Sequence, residues 1–313
     1  MRKWIAALIL LLVIAAGVYW ILPKKINIHQ QMIMPVNTKA FAREIINEQK
    51  WQHWWPGAKA GDKDLPLKFE YNGNNYWIVE KRMTSLIIEI AGKKDSMLTE
   101  LVFIPSGNDT VQLNWLASQK TNLNPLKRMQ ASNWMKNVEA DISSLLKKIQ
   151  TFYSNEDNIY GLHIQKSLVA DSNYMFTSTQ SKTYPSTETI YTLLDQLKFY
   201  IKNNNAQPTG LPMLNVYQDN DGTYLTKVAL PVNKQLKNAG NIQYRWMLKG
   251  GNILVTEVKG GPGTIENAFE VMQQYMQDHQ RIAPAIPFQS LITDRRQEPD
   301  TSRWITKLYW PAM

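Results

Sequence analysis

The 313-residue chain contains no cysteine, which excludes disulfides, thiolate nucleophiles, cysteine-based zinc sites and thioether lipidation together. Histidine is scarce as well: His29, His53, His163 and His279 are all there are, and no two have metal-ligand spacing on a helix or strand, so neither a metal nor another cofactor is expected. No G-x-S-x-G elbow or Ser/His/Asp grouping stands out. The glycine run Gly260, Gly261 and Gly263 around Pro262 lacks both G-x-G-x-x-G and a Walker lysine, which argues against nucleotide binding. Asp294, Glu298 and Asp300 fall in one loop near the C-terminus, a turn-forming pattern rather than a catalytic pair. Charge of one sign is also in short supply. The net charge is +9, but Arg2, Lys3, Lys24 and Lys25 account for four of it, and the rest is scattered among acids. With no arginine-rich arm and no recognition helix, nucleic acid is not expected as a partner.

What the chain does have is apolar and aromatic. Hydrophobic residues make up 44% against 19% charged, with 11 Trp and 14 Tyr, a composition of folded material that packs or binds something apolar. The length suits an anchor and two domains. Trp4 to Leu22 is one uninterrupted apolar run, long enough to span a bilayer at about 1.5 Å per residue. Trp4, Tyr19 and Trp20 lie near its ends, and Lys24 and Lys25 follow it. The expectation is a transmembrane anchor over residues 1–25, meeting the membrane through residues 4–22. The chain would be single-pass, its soluble part periplasmic or extracytoplasmic. A cleaved signal peptide is the alternative, although the small residues Ala15, Ala16 and Gly17 lie inside the run rather than after it.

Residues 26–154 read as a strand (Ile26–Met34), a short helix (Thr38–Asn47) and a tryptophan cluster at Trp51, Trp54 and Trp55 before Pro56 and Gly57. Period-two alternation then recurs through Lys68–Tyr71, Tyr76–Lys81, Leu86–Ile90, Met97–Ile104 and Val111–Ala117. Asn72-Gly73, Ala91-Gly92 and Ser106-Gly107 supply the turns of an antiparallel meander. From about Leu126 to Phe152 the period becomes helical, with Trp134, Val138, Ile142, Leu145, Ile149 and Phe152 on one stripe. This order, with the opening "MPVNTKAFAREIINEQKWQHWWPG" from Met34 to Gly57, resembles the helix-grip (SRPBCC-like) fold of the START and polyketide-cyclase superfamily. The resemblance implies an antiparallel sheet with a long C-terminal helix and a hydrophobic pocket between them. Trp54 and Trp55 would lie at its mouth.

The polar stretch Ser154–Asn158 marks a boundary, and residues 155–313 then state one pattern twice. Strand-like Leu162–Thr179, a helix Ser186–Asn203 and strands Met213–Tyr217 and Thr223–Leu230 form the first statement. Strand Ile242–Leu248 with a hairpin partner Ile253–Val258, a helix Thr264–Asp278 and strands Phe288–Thr293 and Arg303–Trp310 form the second. Two such units side by side would leave a groove. The segments "TYLTKVALPVNK" (Thr223–Lys234), "YRWMLKGGNILVTEVKGGPG" (Tyr244–Gly263) and "PFQSLITDRRQEPDTSRWITKLYWPA" (Pro287–Ala312) resemble the GyrI-like, or bacterial effector-binding, domain. Its implied architecture is a duplicated β-α-β-β unit, α+β in class. The resemblance also implies an aromatic-lined pocket holding a carboxylate, which here falls at Gln289. A neutral amide neither offsets a buried cation nor abstracts a proton. Glu257 is the nearest substitute, and Tyr224, Trp246 and Trp304 are candidate walls. The function expected from these residues is non-enzymatic binding of a hydrophobic or amphipathic small molecule. The alternatives are a hydrolase using Glu257 or Tyr224 and an envelope protein-interaction module.

Overall fold

The computed structural model of the chain describes residue 17 and residues 23–57, 66–107, 109–121 and 124–313. Apart from Gly17, the apolar run 4–22 lies outside the described residues. Among the described residues no helix is long and apolar enough to cross a membrane. The longest, Pro125–Tyr153, carries Lys136, Glu139, Lys147 and Lys148 along its length. This corrects the expectation of a single-pass, membrane-anchored chain with an extracytoplasmic body. The chain divides into two compact units, one ending at Ile159 and the other beginning at Tyr160.

The first unit begins with strand β1 (Lys25–Met34) and helix α1 (Thr38–Ile46), whose N-terminus is capped by the Asn37 side chain accepting from the Lys39 and Ala40 amides. A 3₁₀ turn (Glu48–His53) follows. Strands β2 (Phe69–Tyr71), β3 (Asn74–Lys81), β4 (Ser85–Ala91), β5 (Ser96–Gly107) and β6 (Thr110–Lys120) form an antiparallel meander, and β1 closes on β6 to give the order β1-β6-β5-β4-β3-β2. The Asn72-Gly73 turn has positive φ at both residues, the conformation a two-residue hairpin requires. Helix α2 (Pro125–Tyr153) starts where Asn124 caps and Pro125 occupies the first turn. Its inner face buries Val138, Ile142, Leu145 and Ile149 as the 3.6 period dictates, joined by Asp141. Tyr76, Phe103, Trp115 and Tyr153 are fully buried in this core, so large side chains take up the interior of the unit. The chain also comes close to itself at Gly57, where a Cβ would stand 1.8 Å from the Glu70 carbonyl oxygen.

In the second unit a single sheet carries both statements of the repeat. Its strands are β7 (Gln165–Leu168), β8 (Asn173–Ser181), β9 (Met213–Gln218), β10 (Tyr224–Pro231), β11 (Gln243–Trp246), β12 (Asn252–Lys259), β13 (Phe288–Leu291) and β14 (Ile305–Pro311). Helix α3 (Thr187–Asn203), capped by Ser186, packs on β8 and β10, and helix α4 (Pro262–Asp278) packs on β12 and β14. The strand order is β11-β8-β10-β9-β13-β14-β12-β7, antiparallel throughout. That order is symmetric about the β9/β13 seam: β8-α3-β9-β10 is matched by β12-α4-β13-β14. The chain is therefore α+β with two antiparallel sheets.

Two readings of the sequence change here. Leu162–Thr179 is two strands rather than one, with β7 at the far edge beside β12 and β8 beside β10 and β11. Ile242–Leu248 and Ile253–Val258 are not a hairpin: β11 pairs with β8, whereas β12 pairs with β14 and β7. Between them Gly250 takes φ +77°, a left-handed turn that redirects the chain to the other half of the sheet.

Candidate ligand-binding site

Successive strand residues point to opposite faces, and the sheet of the second unit uses both. One face holds Met175, Leu214, Val228, Leu230 and Leu291 against α3. The alternate residues, Tyr174 and Phe176 on β8, Met213 on β9, Lys227 on β10 and Phe288 on β13, face away from the helices and line a cavity of about 460 Å³. Its walls are completed by Trp246 at the end of β11, by Leu248 beyond it and by residues 284–286 and 311–313. That volume falls within the range of small-molecule sites, roughly 300–1,000 Å³. The rim is apolar and open, with Trp246 64% and Leu248 69% exposed.

The charged side chains that line the cavity have one sign. Lys227 and Arg245 are the charged side chains in its lining, which includes no Asp or Glu. Arg245 lies over the Phe176 ring at 5.2 Å and donates to the Tyr244 carbonyl and Gln243 Oε1. Lys227, half-buried on a central strand, has no ion pair among the described residues. Burial raises the Tyr174 phenol above its ordinary pKa, with Arg245 opposing weakly, and burial likewise raises Tyr309, which stacks on Phe288 at 5.0 Å. Both phenols stay neutral around pH 7 and so supply no negative charge.

The candidate residues separate across the sheet. Trp246 lines the cavity. Glu257 lies exposed on β12, its carboxylate 4.0 Å from Lys307. Tyr224, Gln289 and Trp304 belong to the helix-facing side, because they share the parity of Val228, Leu291 and Thr306. There Tyr224 meets Tyr184 edge-on at 5.7 Å. Gln289 is 3% exposed, and its Oε1 accepts from Arg295 Nη2 at 2.8 Å. Trp304 donates to the Glu298 carbonyl and lies under the Arg295 guanidinium at 4.5 Å. Glu257 and Tyr224 thus lie on opposite faces and do not form one site.

In the first unit Trp54 and Trp55 are 5% and 6% exposed. They pack with Trp51, which stacks on Trp55 at 5.8 Å and 9°, and with Phe69 at 5.3 Å from Trp55. Trp55 Nε1 donates to the Glu70 carbonyl at 3.0 Å. Sequence reading did not single out Lys227, Arg245 or Arg295; a lysine on an otherwise apolar central strand was the available signal for the first. Among the described residues no group of three or more His, Asp or Glu side chains is placed to hold a metal ion.

No family model matches the sequence, and no curated protein matches it. Among solved structures the chain is similar to EcmrR in a complex with DNA, at 15% identity over 61% of this chain and 71% of that one, with a TM-score of 0.41. It is similar to a hydrolase from Listeria innocua at 12% identity over 48% and 91%, with a TM-score of 0.37. SAV2435 bound to tetraphenylphosphonium is similar at 13% identity over 48% and 94%, with a TM-score of 0.33. Similarities this distant assign no function.

Proposed function

We propose that the chain is a non-enzymatic binding protein for a hydrophobic or amphipathic small molecule, held in the open-face cavity of the second unit. The observation that carries this reading is the cavity itself: about 460 Å³, walled by Tyr174, Phe176, Met213, Trp246 and Phe288 with Lys227 on its floor. Aromatic walls take an apolar body by excluding water, and an unpaired, half-buried ammonium favours a carboxylate or sulfonate head over a cation. Within the same proposal, residues 155–313 form a GyrI-like effector-binding domain and residues 26–154 a helix-grip domain. The two-fold arrangement of the sheet about the β9/β13 seam supports the first assignment, and a meander crossed by a long C-terminal helix supports the second.

The test is a fluorescence titration of the full chain with dodecanoate, dodecanol and tetraphenylphosphonium. Dodecanoate is expected to bind tightest. Lys227→Met should weaken dodecanoate about tenfold, roughly 1.4 kcal/mol, while leaving dodecanol unchanged, and Trp246→Ala should weaken both. Equal affinity for all three compounds, or dodecanoate binding indifferent to Trp246→Ala, overturns the reading. Capture of a stoichiometric protein partner through Trp246 and Leu248, with no small molecule bound, would favour an interaction module instead.

A further inference from the structure

The two halves of the second unit's sheet repeat a sequence as well as a topology. Residues 226–231 on β10 read TKVALP, and residues 306–311 on β14 read TKLYWP. The register fixes the match between them. Val228 lies opposite Leu214 on β9, Leu308 lies opposite Gln289 on β13, and Leu214 and Gln289 oppose each other across the seam. On the helix-facing side Thr226 corresponds to Thr306 and Val228 to Leu308, all four fully buried. The open face keeps the lysine, Lys227 and Lys307, and the proline, Pro231 and Pro311. Within the repeat it differs at one position, Ala229 against Tyr309.

That position decides the shape of the surface. In the first half Ala229 lies directly between Phe176 on β8 and Met213 on β9. The row runs large, small, large, and the alanine forms the bottom of a trough whose three residues all line the cavity. In the second half Tyr309 lies between Val255 on β12 and Phe288 on β13. Its ring stacks on Phe288 at 5.0 Å and 11° and takes up the corresponding space. Charge follows the same division. Lys307 has Glu257 directly opposite, the carboxylate 4.0 Å from its ammonium, whereas Lys227 has Ser178 and Asn215 in those places. An ammonium without a carboxylate beside it and an open trough therefore coincide in the first half alone. Lys227 and Ala229 are two residues apart on one strand, about 7 Å, so an amphipath whose head meets the lysine lays its apolar body over the alanine.

Resting on the ligand-binding reading given above, we infer that Ala229 is the specificity-determining residue of the open-face cavity. It makes room for the body of a single-headed amphipathic carboxylate held at Lys227, while Tyr309 closes the repeated position, so that the chain takes one such ligand.

The experiment titrates the full chain with dodecanoate by calorimetry and with dodecanol by tryptophan fluorescence, on the native protein, Ala229→Tyr, Ala229→Val and Trp246→Ala. One equivalent of dodecanoate is expected in the native protein. Ala229→Tyr gives the first half the side chain of the second and should weaken both compounds by the same factor, about 30-fold, as when a side chain overfills a packed space. Equal loss marks room for the body rather than recognition of the head, since Lys227→Met acts on dodecanoate alone. Ala229→Val suits a strand, should weaken both compounds about fivefold, and carries the test should Ala229→Tyr not fold. Undiminished binding in folded Ala229→Tyr or Ala229→Val, while Trp246→Ala still weakens it, overturns the inference and leaves the ligand-binding reading standing. Two equivalents of dodecanoate in the native protein, or a loss in Ala229→Tyr confined to dodecanoate, does the same. Absence of dodecanoate binding in the native protein overturns both.

Discussion

Replacing Asp141 with alanine lowers the stability of the first unit by about 3 kcal/mol. Asp141, buried on the inner face of α2, accepts hydrogen bonds from Asn72 Nδ2 at 2.6 Å, Asn74 Nδ2 at 3.1 Å and the Tyr76 hydroxyl at 3.2 Å. Asn74 in turn accepts from Trp134 Nε1 at 2.9 Å. One carboxylate thus ties the helix to the β2–β3 turn. Its removal leaves the Asn74 amide and the Tyr76 phenol buried and unpaired, at about 1–3 kcal/mol each, partly offset because the carboxylate no longer has to be desolvated. A urea unfolding midpoint of the full chain, followed by tryptophan emission, measures the change. A loss below about 1 kcal/mol would mean that burying the carboxylate costs as much as its bonds return.

The same network predicts an alkaline limit. Burial, and secondarily the Asp141 charge, raises the Tyr76 phenol well above its ordinary pKa. The unfolded phenol therefore releases its proton first as pH rises. The stability it contributes is complete below about pH 10 and is lost above it. Tyr76→Phe should flatten that part of the stability profile, which unfolding midpoints from pH 8 to 11.5 would show.

Trp51→Ala is expected to cost about 3–5 kcal/mol, the range for emptying a buried aromatic site. Trp51 is 1% exposed and stands between Trp54, Trp55 and Phe69 at ring separations of 5.3, 5.8 and 5.5 Å. It also donates to the Ile45 carbonyl at 2.8 Å, so truncation leaves that acceptor buried without a partner. Trp51→Phe keeps most of the packing but not the N–H, and about 1–2 kcal/mol is expected from the lost hydrogen bond and the smaller ring. A near-ultraviolet dichroism spectrum and the urea midpoint together separate loss of the stack from loss of the unit. If Trp51→Ala is tolerated within 1 kcal/mol, the neighbouring rings close over the vacated space and the stack adds little to the stability of the unit.

The two predictions concern features with different visibility in the sequence. Trp51, Trp54 and Trp55 announce themselves by composition and spacing. Their stacked geometry does not, because Trp51 and Trp55 are set parallel by a 3₁₀ turn that their spacing leaves open. Asp141 was invisible: an acid inside an amphipathic stripe reads as a residue on the solvated face, and only the approach of the Asn72-Gly73 turn gives it partners. Gln289 was legible as a departure from a resemblance, but its role was not. The Arg295 that fills its hydrogen bond comes from a loop whose path depends on Arg296 pairing with α3.

Local chemistry by itself determined the elements. Period-two and period-3.6 apolar patterns, Asn37, Asn124 and Ser186 at helix starts, and Asn72-Gly73 at a hairpin place almost every strand and helix, because these signals act over a few residues. The tertiary structure decided what those signals cannot reach. Whether β11 and β12 form a hairpin or part to opposite halves of the sheet depends on pairings with strands distant in the sequence. Which residues share a site depends on the same pairings, since the pleat sends neighbours to opposite faces. Trp246 and Lys227 came to one side of the sheet, Tyr224, Gln289 and Trp304 to the other.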